Sequence, residues 1–479
     1  MKRRMAIACF LALLVGCASG PEYTRPSLDL PMGWAVQAPW RVAKPDDATF
    51  SGSWWQRFGD RELDELEARA LANNATLAVS NARLMQARSV LTSTAASALP
   101  LVGLGERVSR QRISADRPLT NYSSPNFSTV QNELSVAMTV SYELDLAGRV
   151  QQSIASAKAT LEQSSADYEN TRLLLTADLA TNYFNLREID AELRVLGHSI
   201  NLQKRSLELM RARHELGAAT GLELAQQQTI LDSTLVQVEL LQRQRGQFEH
   251  AVATLVGVPA PQFALPATQS ESVVPAVPVG MPSDLLERRP DVAASERAMA
   301  VANAQIGIAN AAFYPSITLG SVAGVDSREF KTLFDAPSML WSIGLSAAQT
   351  LFDGGKMQAN LEFSRSGYTA SVANYRRVVL VAMQEVEDGI TGLTALGRAS
   401  RQAGMALNGA RKVLEMTTAR YDGGASTYAE VIAAQQAALA SERQSVQLQG
   451  QQLVTTVFLI KALGGDWQSS AGAKIAIKD

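Results

Sequence analysis

The 479-residue sequence has only two cysteines and three histidines, which leaves little material for metal or thiol chemistry. It has no surplus of either charge: 44 basic and 46 acidic residues give a net charge of −2. A nucleic-acid binder would show a clear basic excess, so that class is set aside. Long apolar runs are missing too. The longest, Met5 to Val15, is 11 residues, against the roughly 20 needed to cross a bilayer as a helix. Hydrophobic content of 46% is ordinary for a globular chain. Length alone suggests about three domains. There is no phosphate loop, no Gly-x-Ser-x-Gly elbow and no zinc spacing, so no enzyme constellation is present. His198, His214 and His250 are dispersed along helical sequence and read as solvated helix-face residues, not metal ligands.

The N-terminus carries the first positive signal. Lys2, Arg3 and Arg4 precede the apolar run, which ends in Leu14-Val15-Gly16-Cys17. Charge, length and a small residue before the cysteine make this a lipoprotein signal with a lipobox. Cleavage before Cys17 leaves 463 residues (479 minus 16). The Cys17 thiol then takes a diacylglycerol and its N-terminus an acyl chain. Cys9 leaves with the signal, so no internal disulfide is available. Ala18, where an aspartate would retain the protein at the inner membrane, directs it to the outer membrane of a Gram-negative cell. Each lipid chain contributes about 0.8 kcal/mol per buried methylene, so several chains anchor stably. An ordinary secretory signal with an incidental cysteine is the alternative.

None of the 17 prolines falls between Asn126 and Val258 or between Ser338 and Asp479. Proline costs about 3 kcal/mol inside a helix, so these two blocks can hold very long helices. The blocks are also copies. Leu144-Asp145-Leu146-Ala147-Gly148-Arg149 aligns with Leu351-Phe352-Asp353-Gly354-Gly355-Lys356 at an offset of 207. The same offset maps Arg213 on Arg420, Gly217 on Gly424, Glu223 on Glu430 and Gly257 on Gly464 without a gap. Such an internal duplication governs any reading of the fold.

Each copy reads as a helix, a proline, two β-segments and two long helices. Val130, Leu134, Val136, Met138, Val140, Tyr142 and Leu144 are apolar at even positions, and Thr129, Gln131, Glu133, Ser135, Thr139, Ser141 and Glu143 are polar at odd ones. That period of two predicts a strand. Strands are predicted at about 101–113, 129–144, 316–325 and 339–351. Their lengths suit an outer-membrane crossing at a tilt. Four strands cannot close, and open edges are excluded from lipid, so membrane-spanning protomers must share one barrel. A water-soluble four-stranded sheet is the alternative.

The long helices, at about 148–214, 220–257, 355–421 and 427–463, carry heptads. Ile154, Leu161, Tyr168, Leu175, Ile189, Leu196 and Met210 form one seven-residue ladder, and Leu179, Leu186, Leu193, Ile200 and Leu207 a second. Together they make the seam of a coiled coil. From Arg149 to His214 is 66 residues, or about 99 Å at 1.5 Å per residue, too long for a compact domain. The chain turns round at Gly217 and Gly424.

Five stretches, taken in order, resemble the TolC-type outer-membrane factor family, in its lipoprotein branch. They are Gly20-Pro21-Glu22-Tyr23-Thr24-Arg25-Pro26, Trp54-Trp55-Gln56-Arg57-Phe58-Gly59-Asp60, Leu286-Glu287-Arg288-Arg289-Pro290-Asp291-Val292, Phe313-Tyr314-Pro315 and Leu351-Phe352-Asp353-Gly354-Gly355. The resemblance covers nearly the whole mature chain. It implies an α+β membrane protein and a homotrimer. Four strands per protomer would form a trimeric twelve-stranded outer-membrane β-barrel, continued by a long periplasmic α-helical barrel of coiled-coil hairpins.

The implied organisation is a signal peptide at 1–16, a lipid-anchored equatorial leader at 17–59 and a first repeat at 60–258. An equatorial linker at 259–284, a second repeat at 285–465 and a tail at 466–479 follow. The implied function is a passive exit duct for drugs or other small solutes. It would be docked to a periplasmic adaptor and an inner-membrane RND-type transporter, in contact with outer-membrane lipid, with no nucleic-acid partner and no cofactor beyond the lipid on Cys17. Related readings are a duct for ABC-driven type I secretion and a non-conducting periplasm-spanning tether.

The resemblance places the adaptor-docking turns at Gly217, Ala218 and Ala219 and at Gly424, Ala425 and Ser426. Aperture candidates are Arg420, Tyr421, Asp422, Glu223, Glu430, Ala433 and Gln436. Family members often carry Leu-Asp-Ala-Gln-Arg just beyond the second turn. Here the stretch is Ile432-Ala433-Ala434-Gln435-Gln436, and both charges are missing. Glu223 and Glu430 would make a ring of six carboxylates in a trimer. Alternatively, they are solvated helix-start residues favoured by the helix dipole. Trp54 and Trp55 read as packing near the start of the first helix, not as a membrane-interface belt.

Overall fold

A computed structural model describes residues 23–25, 31, 33–34, 53–116, 129–268, 273–277 and 288–465. The signal segment, Cys17, most of the leader, parts of the linker and the tail lie outside the described residues. The chain forms two compact units.

The first unit comprises residues 84–164 and 295–375 with the N-terminal stretch through residue 27. It holds a four-stranded antiparallel sheet of β1 (Leu101–Ile113), β2 (Thr129–Leu144), β3 (Ser316–Ser327) and β4 (Met339–Ala348), in the order β1-β2-β3-β4. Each copy contributes one hairpin, and β2 joins β3 across the duplication. The strands form where the period of two lies, because alternate side chains must face opposite ways.

Register sorts those side chains into two unlike faces. Leu104 opposes Met138, Met138 opposes Ala323 and Ala323 opposes Trp341, so β1 and β2 even positions share a face with β3 and β4 odd positions. That face carries Val102, Leu104, Val108, Leu134, Val136, Ile317, Leu319, Ile343 and Leu345. The other carries Gly103, Arg107, Ser109, Gln131, Glu133, Ser135, Thr139, Thr318, Ser342 and Ser346. On the apolar face Val108 is 81% exposed, and Trp341 78%.

The fourth strand ends at Ala348, three residues before the predicted 351. In this register Gln349 would face Pro315, which has no N–H for the ladder, and its side-chain Nε2 instead donates to the Phe313 carbonyl at 2.8 Å. The third strand runs two residues past 325, to Ser327. Tyr23 is fastened to this unit: its hydroxyl donates to Glu296 Oε1 at 2.5 Å, and Arg25 donates to Tyr375 Oη at 3.2 Å.

The second unit comprises residues 28–83, 165–294 and 376–479. A 3-10 turn at Trp54–Phe58 buries Trp54, Trp55 and Phe58, and Trp54 Nε1 donates to Thr176 Oγ1 at 3.3 Å. The tryptophans therefore pack inside, as the sequence suggests.

The single helix expected before the first proline is broken in two, α1 (Arg61–Asn73) and α2 (Ala75–Ala95), the latter running on into the first unit. Asn74 makes the break. Its Oδ1 accepts from Leu77 N at 3.0 Å, capping α2, while its Nδ2 donates to Leu255 O at 2.9 Å.

The long helices are α3 (Arg149–Glu215), α4 (Gly221–Leu255), α6 (Lys356–Asp422) and α7 (Tyr428–Ala462); α5 (Pro290–Ala311) precedes β3. Corresponding helices have 67 and 35 residues in both copies. The heptad seam of α3 is the core: Leu175, Leu179, Leu186, Ile189, Leu196, Ile200, Leu207 and Met210 are all buried. No helix among the described residues is long and apolar enough to cross a membrane.

Paired charges hold the irregular segments to these helices. Arg187 binds Glu62, Asp190 at 2.8 Å and the Pro266 carbonyl at 2.8 Å. Arg245 binds Asp190 at 2.6 Å and the Leu265 carbonyl. Arg289, in the Arg-Arg-Pro-Asp stretch, reaches Glu385 at 2.6 Å and the Ala462 carbonyl at 3.0 Å. Removing one member of such a buried pair costs about 3–5 kcal/mol, because the other charge is left stranded.

Candidate functional site

The two turns that join α3 to α4 and α6 to α7 share one backbone solution. Gly217 (φ 73°) and Gly424 (φ 69°) adopt the left-handed conformation. The Ala218 N–H donates to the Arg213 carbonyl at 2.7 Å and Gly217 N–H to His214 at 2.9 Å. In the second copy Ala425 donates to Arg420 at 2.8 Å and Gly424 to Tyr421 at 3.0 Å. This six-to-one and five-to-two pattern satisfies the last helical carbonyls and needs a residue without a Cβ penalty at the left-handed position.

The helices leaving the turns begin with capping boxes. Thr220 N donates to Glu223 Oε2 at 2.8 Å, and Glu223 N returns to Thr220 Oγ1 at 3.3 Å. Thr427 Oγ1 and Ser426 Oγ donate to the two oxygens of Glu430 at 3.1 and 2.9 Å. These donors, Ser426 first, hold the Glu430 carboxyl below the ordinary glutamate range. Both glutamates thus make capping contacts at the starts of their own helices.

Behind the turns, Met210, Tyr428 and Val431 form a small core, with Ala219, Leu224, Tyr421 and Ile432 packed on it. The rings of Tyr421 and Tyr428 stand 5.2 Å apart. Tyr428 Oη donates to Gln227 Oε1 at 2.8 Å, and Gln227 Nε2 donates to the Gln203 carbonyl at 3.0 Å. Burial, with Tyr421 nearby, pushes the Tyr428 phenol up to about 12. Arg213 reaches across from α3: its Nη1 donates to Tyr421 Oη at 3.2 Å, with the guanidinium 5.6 Å from the ring centre.

The structure therefore brings Ala219 and Tyr421 onto one cluster, with Ser426 and Glu430 bonded beside it. Gly217, Ala218, Gly424 and Ala425 are exposed at the turns. Arg420 caps its own turn by donating to the Ala425 carbonyl at 3.0 Å. Asp422, Ala433 and Gln436 are exposed and join none of these contacts among the described residues. Sequence reasoning missed Tyr428, Gln227 and Gln203. The duplication held the signal, because at the offset of 207 Tyr428 replaces Gly221 and Tyr421 replaces His214, so the two tips differ where they meet.

The family described as outer membrane efflux protein matches this chain over residues 66–258 and again over 281–465, once for each copy. The chain belongs to that family. OpmQ, a pyoverdine export outer membrane protein of Pseudomonas aeruginosa, is 30% identical over 470 residues, 98% of either chain. TtgF, a toluene efflux pump outer membrane protein of Pseudomonas putida, is 30% identical, with 97% of each chain covered. The open state of the MtrE outer membrane channel of Neisseria gonorrhoeae superimposes with a TM-score of 0.80 at 25% identity, over 94% of this chain and 99% of that one. As an outer membrane efflux protein, the chain has the TolC-type fold, an α+β membrane protein with an internal duplication, and is a channel component, not an enzyme.

Proposed function

We propose that this outer membrane efflux protein is the passive exit duct of a tripartite pump. Three copies close one barrel, an adaptor docks on the periplasmic turns, and an inner-membrane RND-type transporter supplies the energy. The observation that carries this is the sheet. Among the described residues its edges β1 and β4 have no further strand beside them, and its two faces are opposite in character. Open edges are excluded from lipid, and a closed barrel with apolar and polar faces places lipid outside and water inside. Three protomers of four strands give twelve.

Leu351 and Phe352, 92% and 89% exposed just beyond β4, supply apolar surface for a neighbouring copy. Cys17 carries the lipid, and the fastening of Tyr23 only six residues on supports a short tether. Pyoverdine and toluene, in the names of the relatives, support small solutes as cargo.

The test is a photo-crosslinker at Ala218 or Ala425 in the native cell, with captured proteins identified by mass spectrometry. An adaptor of the RND type is expected. An ABC-type adaptor moves the assignment to type I secretion, and an absence of any partner at either turn restores the tether.

A further inference from the structure

One face of the sheet changes from apolar to basic toward its loop end. Along that face β1 presents Val102, Leu104, Glu106, Val108, Arg110 and Arg112, opposite Val140, Met138, Val136, Leu134, Asn132 and Val130 of β2. Arg110 and Arg112 are both exposed, two residues apart and so on the same side of the strand, about 7 Å from each other.

The polar face pairs its β1 arginine with an acid. Arg107 stands 3.9 Å from Glu133, which also accepts from Ser109. Arg110 has no such acid partner among the described residues. The one acid on the apolar face of the four strands, Glu106, lies four residues below Arg110, roughly 13 Å along the strand and out of contact. Between Arg107 and Asn132 the sequence has four arginines (107, 110, 112, 117) and a single acid, Asp116. The second hairpin shows no such bias, with Arg328 and Lys331 against Asp326, Glu329 and Asp335.

An arginine on the lipid face of a barrel costs about 2–4 kcal/mol at the bilayer midplane but little at the interface. This pair at the loop end therefore suits headgroup depth. Guanidinium groups bind phosphate oxygens through paired hydrogen bonds, and Asn132 adds an amide at the same level. Directly below lies aliphatic surface.

We infer that Arg110, Arg112 and Asn132 bind the phosphorylated headgroup of an outer-leaflet glycolipid whose acyl chains lie on Val108, Leu134 and Val136. This rests on the duct reading, because only an inserted barrel turns this face to lipid.

The experiment uses the purified full-length trimer, stripped of lipid in detergent and incubated with bisphosphorylated lipid A, with bound lipid counted by native mass spectrometry. At about one cationic contribution per arginine, Arg110→Gln combined with Arg112→Gln should lower lipid affinity roughly thirtyfold. Arg107→Gln, on the opposite face, should leave it unchanged. Dephosphorylated lipid A on the unaltered chain should bind as weakly as lipid A does on the double variant, which tests the inference without any substitution. Equal binding by the double variant, equal binding of the dephosphorylated lipid, or no binding by the unaltered trimer would overturn it. The same preparations are recorded in planar bilayers. Normal conductance without lipid A binding sinks this inference and leaves the duct standing, whereas absence of a conducting trimer sinks the duct itself.

Discussion

Arg213 and Arg420 occupy equivalent positions of the two copies and bond differently: Arg213 Nη1 donates to the Tyr421 hydroxyl of the other hairpin at 3.2 Å, whereas Arg420 Nη2 donates to the Ala425 carbonyl of its own turn at 3.0 Å. Duplication built the two turns alike. The phenol at 421, where the first copy has His214, turned one arginine into a cross-hairpin link.

That link is a gating candidate in the proposed duct, since the acid and arginine usual just beyond the second turn are missing. Tyr421→Phe keeps the ring and deletes the hydroxyl; Arg213→Ala deletes the donor. A hydrogen bond contributes about 0.5–1.5 kcal/mol net, so Tyr421→Phe should raise the open fraction about two- to tenfold in single-channel recordings. An unchanged open fraction in both variants would remove this contact from gating.

Gly217 and Gly424 test the turns. A Cβ added at either meets nothing within 4 Å, so the cost of alanine is conformational alone. It should be about 1–2 kcal/mol per site, and asparagine should cost less. Hydrogen exchange of the turn amides should accelerate in the order glycine, asparagine, alanine.

Glu430 has a depressed folded-state pKa, so its contribution is present above the ordinary glutamate range and is lost as pH falls through the lower, folded value. Protection of the first turn of α7 should therefore drop on acidification. Because the carboxylate is committed to Ser426 and Thr427, Glu430→Gln should leave the reversal potential in a bilayer unaltered. A clear loss of cation selectivity would instead restore the ring of six carboxylates.

Glu188 behaves in the opposite sense. Its carboxyl lies so close to Gly450 that a Cβ there would stand 2.3 Å from Oε2. The neighbouring Glu192 is already held by Arg443, with Nε at 2.6 Å, and by Gln447 at 3.3 Å. Burial first, and then the Glu192 charge, raise Glu188 from 4.5 to about 7. The folded chain thus holds a proton that the unfolded chain releases, and stability falls as pH rises between those two values. Glu188→Gln should raise Tm by a few degrees at pH 8 and leave it nearly unchanged at pH 4. An equal gain at both pH values would show that packing, and not charge, is responsible.

Much of this architecture was legible in the residues. Period-two alternation marked Thr129–Leu144 as a strand with two faces, and proline-free heptads marked the long helices. Both patterns are local, because neighbouring side chains decide which face a strand or helix buries. The break at Asn74 was not legible, since the bond that shapes it runs to Leu255, 181 residues away. Gln203 is a polar residue at a heptad position of α3, between Leu196 and Met210, yet it is buried and its carbonyl anchors Gln227.

The sequence by itself determined the duplication, the elements and their order, because a constant offset of 207 and the two periodicities need only the linear chain. Tertiary structure alone decided which duplicated residues diverged in role. Whether Arg213 meets Tyr421 depends on side chains brought together from 208 residues apart, and no local propensity encodes that distance.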